Sequence, residues 1–223
     1  MLDVIGRGIL EGRKTFANTL KYVLTTMSAN LGNMISMAAA SLFLPFLPLL
    51  ASQILLNNLL SDLPAIGIAD DAVDPELIER PQRWNMRFIA RFMVEFGAVS
   101  SVFDFLTFGM LLLVFQAGPE LFRTGWFVES LLTELVIALV VRTRRPFFRS
   151  RPGRVLLWST VSLMALTFAM PYLPLIGVFG FVPLPSVLLL TVLAITALYV
   201  VATEITKSHF YRGVARGSGY RYQ

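Results

Sequence analysis

The sequence contains no cysteine and only one histidine, His209, close to its C-terminal end. Disulfide bonds, thiolate metal sites and histidine metal clusters are therefore excluded. Charged residues are also scarce, because they make up 15% of the chain, whereas soluble domains contain about 25%. No GxxxxGK(S/T) phosphate-binding loop occurs. These absences argue against a soluble, nucleotide-binding enzyme.

Apolar residues are abundant, with 56% of the chain hydrophobic and a mean hydropathy of +0.68. This composition predicts an all-α, polytopic membrane protein. Crossing the hydrocarbon takes about 20 mostly apolar residues, and the chain has enough such stretches for a six-transmembrane-helix bundle. The predicted spans are 22–43, 46–68, 94–117, 125–142, 155–173 and 184–204. The second span is the weakest, because a polar run interrupts it.

The basic residues provide a test of this number of spans. If the chain crosses six times, every one of its 19 lysine and arginine residues except Arg123 falls on one side. Cytoplasmic loops carry the Lys/Arg excess, so both termini are expected in the cytoplasm, with the protein in the plasma (inner) membrane. We therefore expect a cytoplasmic stalk at 1–21 and a cytoplasmic loop at 69–93. The net charge of +5 then reflects topology and contact with the lipid bilayer, and no nucleic-acid partner is expected.

The run NNLLSDLPA at 57–65 places polar groups inside the weak second span. Asn58, Ser61 and Asp62 have the i, i+3, i+4 spacing that puts side chains on one helical face. Asn30 and Asn33 share a face of the preceding span in the same way. Because the two spans are joined by a short connection, the two polar stripes are expected to face each other.

Pro64 adds a second feature to this run. A proline inside a helix has no N–H to donate to the carbonyl group of Leu60, so a partly unwound helix is expected, with Gly67 loosening the next turn. Free carbonyl, amide and carboxylate oxygens together suit a hard cation such as Mg²⁺ or Ca²⁺. The alternative is that these amides only form hydrogen bonds between packed helices.

Three further acids lie within predicted spans, and ionisable residues there indicate function by default. Asp104 is expected to pair with Glu129 or Glu134 through a proton, or else with an arginine. Glu129 and Glu134 are five residues apart, so one is expected to line an ion path and the other to face a neighbouring helix. Trp126 is expected to anchor its helix at the membrane interface.

Several of these motifs resemble the P-type cation-transporting ATPases. EGRKTFANTLKYVLTTMSANLGN (11–33) is similar to their fifth membrane helix with its stalk, and QILLNNLLSDLPAIGIADDAVDPELIERPQRWN (53–85) to their sixth helix and the following loop. FDFLTF (103–108) and TGWFVESLL…VVRTRR (124–145) resemble the magnesium-transporting branch. The resemblance implies that the chain provides membrane helices five to ten of such a pump, with Mg²⁺ as the transported ion.

The resemblance also implies roles for particular residues. The fifth-helix ligand positions fall on Asn30 and Asn33, and asparagine at the second position departs from the calcium pumps and agrees with the magnesium branch. The sixth-helix ligands fall on Asn58, Ser61 and Asp62, while Asp104, Glu129 and Glu134 are possible accessory residues of the ion path. Segments 11–21 and 70–91 would contact the N-terminal half of the pump.

The chain carries none of the motifs by which such pumps use ATP. It has no DKTGT phosphorylation motif, no TGES-type actuator loop, no nucleotide domain and no fourth-helix proline motif. No ATPase activity is therefore expected from this chain alone, and ATP would act only through absent domains. Two alternatives remain at this stage: a separate membrane protein that assembles with or regulates a complete pump, and an independent ion channel or carrier.

Overall fold

The computed structural model describes residues 2–79 and 81–217. Met1, Arg80 and residues 218–223 lie outside the described part, and they include two of the basic residues predicted on the cytoplasmic side, Arg80 and Arg221. Within it the protein has no β-strand, and the α-helices are joined by turns and short 3₁₀ or π segments. The helices are α1 (Leu2–Phe43), α2 (Ala51–Ile66), α3 (Pro75–Glu79), α4 (Met86–Gly109), α5 (Pro119–Val141), α6 (Arg154–Ala169) and α7 (Ser186–Gly217).

Helix α5 forms the centre of the bundle. It packs against α1, α2, α4, α6 and α7, and 89% of its most apolar window is buried, compared with 33–39% for α4, α6 and α7. A helix whose apolar residues occur on all sides is typically buried in a core or spans a membrane, and α5 is the most buried of these four helices. The other long helices α1, α2, α4, α6 and α7 contact α5 and leave other residues exposed, as expected of helices that contact lipid.

The helices differ from the predicted spans mainly at their ends. No proline interrupts residues 2–43, so stalk and first span form one continuous helix, α1. Helix α2 starts at Ala51 instead of 46, because Pro45 and Pro48 lie in the connection before it. Helix α4 begins earlier than predicted, at Met86, where the Asn85 side chain accepts a hydrogen bond from the backbone N–H of Phe88 at 3.1 Å.

Four described helical segments are long and apolar enough to cross a membrane: Met86–Val114, Pro119–Val141, Arg154–Tyr172 and Ser186–Val214. The all-α membrane class is therefore confirmed. Helices α1 and α2 are not among these segments. Helix α2 has only 16 residues and carries the polar run, whereas the first half of α1 is charged and exposed.

The core consists of two apolar clusters with polar side chains between them. One cluster is built around Leu111, Phe122 and Leu131, and the other around Phe92 and Phe210. Along α1 and α4, polar residues occupy the stretch between the two clusters. These buried polar residues include Ser36, Ser100, Ser101 and Asp104. The fold thus buries polar side chains near the middle of the bundle.

Candidate functional site

Glu134 lies at the meeting point of α1, α2 and α5, and only 8% of the residue is exposed. The Asn57 side-chain amide donates to Glu134 Oε1 at 3.0 Å, and the Asn33 amide donates to the same oxygen. Ser130 donates to Asn33 Oδ1 at 3.2 Å, while the Ser61 hydroxyl also lies beside Glu134. One carboxyl group of the central helix therefore connects both helices of the N-terminal pair.

The five predicted cation ligands fall into two groups. Asn33 and Ser61 are partly buried and reach Glu134, whereas Asn30, Asn58 and Asp62 are exposed. One residue of each predicted stripe, Asn33 from α1 and Ser61 from α2, therefore meets the same carboxyl group of α5. Residue spacing identifies which side chains share a face of one helix, but the rotation of that helix depends on its neighbours.

Helix α2 turns Asn57 inward instead of Asn58. Its buried residues are Gln53, Asn57, Leu60 and Pro64, which repeat at intervals of three or four and so form one face. Sequence reasoning noted Asn57 but did not include it among the ligands. Asn57 lies three residues before the apolar Leu60, and this spacing, which places both on one helical face, would have indicated that Asn57 points inward.

The expected unwinding of α2 at Pro64 is wrong. The helix continues through Pro64 to Ile66, and a 3₁₀ turn follows at Gly67–Asp70. Proline removes only one N–H donor, and here its ring is buried. Looser geometry begins at Gly67, where an added Cβ would lie 2.7 Å from the backbone nitrogen of Leu156. The close approach of α6 therefore requires glycine at this position.

Asp104 and Glu129 form a second buried acidic group, and each residue is 1% exposed. Asp104 Oδ2 accepts a hydrogen bond from Ser36 Oγ at 2.5 Å, and Oδ1 accepts one from Trp126 Nε1 at 2.9 Å. Glu129 lies beside Asp104. The interfacial role expected for Trp126 is wrong, because its ring is buried and its N–H donates to Asp104. Within the part of the chain that the structure describes, the ionisable neighbour of Asp104 is thus an acid, and not an arginine.

Both acids of α5 point into the bundle, although they are five residues apart. Glu134 meets the amides of α1 and α2, and Glu129 meets Asp104 of α4. Among the described residues, no three His, Cys, Asp or Glu side chains lie close enough to hold a metal ion by themselves. Any cation site within this part of the chain would therefore also need amide, hydroxyl or carbonyl oxygens.

A buried ionic cluster joins α1 to the segment that follows α2. Asp71 accepts hydrogen bonds from Lys21 Nζ at 2.7 Å, from the Arg142 guanidinium at 3.3 Å and from the Gly153 backbone N–H at 2.8 Å. Burial lowers the pKa of Lys21, and its hydrogen bond to Asp71 acts in the opposite direction. We call Lys21, Asp71, Arg142 and Gly153 the Asp71 cluster.

The Asp71 cluster changes the interpretation of the predicted loop 69–93. Its first part docks within the chain: Asn18 of α1 donates to the carbonyl oxygens of Ala69 and Asp71 at 2.9 and 3.1 Å. Asp74 is buried and accepts from Thr143 Oγ1 at 2.8 Å. Residues Pro75–Glu79 form the short helix α3, which sequence reasoning did not predict.

A helical bundle with four apolar helical segments long enough to cross a membrane, and with acids and amides buried inside it, defines an all-α membrane protein. Residues 46–209 match the family described as cation-transporting ATPase, C-terminus, and the chain therefore belongs to that family.

The chain is also similar to individual pumps. It is 44% identical to the "Magnesium-transporting ATPase, P-type 1" of Escherichia coli strain K12 and 43% identical to that of Salmonella typhimurium strain 14028s, over 95% of this chain and 24% of each relative. A protein of the same name from Salmonella typhimurium strain LT2 is 39% identical over 82% of this chain and 21% of its own length. The chain thus spans about a quarter of the length of these curated relatives.

Proposed function

We propose that this chain is the membrane-embedded C-terminal part of a P-type pump that transports Mg²⁺. In this proposal it supplies part of the intramembrane cation site and none of the ATP-hydrolysing domains. The observation that carries the proposal is the exposure of Asn30, Asn58 and Asp62 on helices of a membrane bundle. Such groups are costly against lipid, so these positions require a protein partner or a polar cavity. We propose Mg²⁺ as the ion because the similar pumps are named magnesium-transporting ATPases.

The proposed cation ligands are those of the sequence prediction. Asp62 contributes the charge, and Asn30, Asn33, Asn58 and Ser61 contribute neutral oxygens. The contacts of Asn33 and Ser61 with Glu134 support this set, because they place a buried carboxyl group behind the exposed ligands. Oxygen-only ligands match the preference of Mg²⁺. Further ligands would come from the part of the pump that precedes these residues.

The proposed topology has six spans with both termini in the cytoplasm. Three connections between helices lie at one end of the bundle, because Arg123 Nε donates to the Leu47 carbonyl at 2.9 Å and the Gln53 amide donates to the Phe179 carbonyl at 2.9 Å. The Asp71 cluster joins segments at the opposite end. Helices α1 and α2 therefore run between the same two ends as α4–α7, which supports their crossing as well. The basic residues favour the cytoplasm for the Asp71 end.

The proposed partner is the preceding half of the pump, with its phosphorylation, actuator and nucleotide domains. It would contact the stalk at 11–21 and the segment 70–91. Two features support this assignment: residues 4–12 of α1 are exposed throughout, and the Asp71 cluster joins that same helix to the segment after α2. A movement of the stalk would therefore be transmitted to the end of α2, close to the proposed ligands.

The test is ATP-driven Mg²⁺ uptake into liposomes by a chimeric pump in which this chain replaces the matching quarter of the Escherichia coli relative. Asp62→Asn removes the charged ligand, so the apparent Mg²⁺ affinity should fall about 10- to 100-fold, as expected for loss of a charge-assisted contact. The matched control is Glu120→Gln, an exposed acid at the start of α5, which should transport normally. Unchanged Mg²⁺ dependence in Asp62→Asn would contradict the assignment.

A further inference from the structure

We propose that Asp104 and Glu129 form a carboxyl pair that holds one proton, which resides on Glu129 and is donated to Asp104. This proton site is separate from the proposed cation ligands. It does not depend on the transported ion or on the proposed pump function.

The surroundings of Asp104 are those of an ionised carboxylate. Each of its oxygens accepts a hydrogen bond, one from the Ser36 hydroxyl and one from the Trp126 indole N–H. These donors come from two different helices, α1 and α5, and the residue is fully enclosed. Hydrogen bonds donated to a carboxylate favour its charged form. Asp104 is therefore the acceptor of the pair.

The surroundings of Glu129 are the opposite. Within the described residues, neither of its carboxyl oxygens has a hydrogen-bond partner, although both are buried. The charged groups that act on it are the carboxyls of Asp104 and Glu134, and Tyr199 is the titratable group that faces the pair from α7. An ionised Glu129 would lack both a donor and a nearby cation, and such a buried charge is strongly unfavourable.

A single proton on Glu129 satisfies the surroundings of both carboxyl groups. Two adjacent buried carboxyl groups do not both ionise, and such pairs share a proton. A protonated Glu129 gains an O–H donor, and Asp104 has spare acceptor capacity because a carboxylate offers about four lone-pair sites. The pair then carries a single negative charge, held by three donors: Ser36, Trp126 and Glu129.

The two acids of α5 consequently have different chemistry. Glu134 accepts hydrogen bonds from the amides of Asn33 and Asn57, so its carboxyl group acts as an acceptor. Glu129 faces no amide and acts as a donor. The two acids lie five positions apart on α5, and Glu134 contacts amides of α1 and α2, whereas Glu129 lies beside Asp104 of α4. This contrast makes Glu134 the matched control for a test of Glu129.

The experiment is infrared difference spectroscopy of the full chain in lipid nanodiscs at neutral pH, comparing wild type with Glu129→Gln. A protonated carboxyl group has a C=O stretching band that a carboxylate lacks. We expect Glu129→Gln to remove intensity equivalent to one carboxylic acid per chain, whereas Glu134→Gln should keep that band. An unchanged band in Glu129→Gln would overturn the proposal, as would loss of the band in Glu134→Gln alone.

A second variant keeps the proposal testable if Glu129→Gln does not fold. Asp104→Asn replaces the carboxylate acceptor by an amide, so the band of Glu129 should remain and shift in frequency. A band that is unshifted in Asp104→Asn would also overturn the proposal. Both measurements are made without Mg²⁺ or ATP, so their outcome is independent of the transport assay in the chimeric pump.

Discussion

At the scale of single residues, Asp71 illustrates how one side chain joins distant parts of the chain. Its carboxylate is buried between Lys21 of α1, Arg142 at the end of α5 and the backbone before α6. Removing one partner of such a cluster leaves the other charges buried and unpaired. Asp71 therefore stabilises the fold mainly by neutralising the buried charges of Lys21 and Arg142.

Loss of the Asp71 carboxylate should destabilise the fold. Asp71→Ala should lower the free energy of unfolding by about 3–5 kcal/mol, the usual cost of breaking a buried ion pair, measured by thermal unfolding of the purified chain in detergent. The control is Glu76→Ala, because Glu76 forms an ion pair with Arg145 on the exposed surface and such pairs contribute little. Equal stability of Asp71→Ala and wild type would contradict the role of the cluster.

The sequence predicted which polar residues lie within the apolar helices, but it did not predict which of them point into the bundle. The acids and amides inside the spans were identified because polar side chains stand out among apolar ones. Asn57 and Asp71 were not singled out as buried, since burial depends on which helix packs alongside. Trp126 shows the same limit: an indole fits both a membrane interface and a buried carboxylate.

At the scale of helices, the packing of α1 on α4 depends on small residues. Helix α1 packs more extensively on α4 than on any other helix. An added Cβ at Gly32 would lie 2.7 Å from Ser100 Cβ, and Ser101 Oγ donates to the Gly32 carbonyl at 3.1 Å. Small residues allow membrane helices to approach closely. This contact also positions Ser36, one turn further along α1, against Asp104.

Gly32→Ala should therefore separate α1 from α4. We expect it to destabilise the chain by about 1–3 kcal/mol, as overpacking commonly does, and the thermal unfolding midpoint is the measurement. Gly12→Ala in the same helix is the control, because nothing lies within 4 Å of an added Cβ there. It should leave stability unchanged or raise it by up to about 1 kcal/mol. If both variants unfold alike, close packing at Gly32 is not important.

Helix existence was predictable because long apolar stretches have few alternatives in a membrane. Helix ends were less so, because local capping and turn residues decide them. Asn85 starts α4 early by capping, and Gly67 rather than Pro64 ends the regular geometry of the second helix. The short helix α3 lacks an apolar stretch long enough to reveal it, and it forms where its segment docks on α1.

At the scale of the whole molecule, the number of crossings determines on which side of the membrane the connection between α1 and α2 lies. Four helical segments are apolar enough to cross by themselves, whereas α1 and α2 carry polar residues that one would not expect to face lipid. In the proposed orientation, with both termini in the cytoplasm, Leu47 lies outside the cell if α1 and α2 cross. If they do not, Leu47 lies inside, although the positions of both termini are the same in either case. The connection at Leu47 therefore distinguishes six spans from four.

Because the chain has no cysteine, a single introduced thiol can be labelled without background. Leu47 is 63% exposed and is held by its backbone carbonyl, so Leu47→Cys should fold normally. We expect a membrane-impermeant thiol reagent to label Leu47→Cys in intact cells, as it should the outer control Glu120→Cys. The inner control Arg83→Cys should react only after permeabilisation. If Leu47→Cys reacts like Arg83→Cys while Glu120→Cys is labelled from outside, α1 and α2 do not cross, and Asp62 would then be accessible only from the cytoplasm.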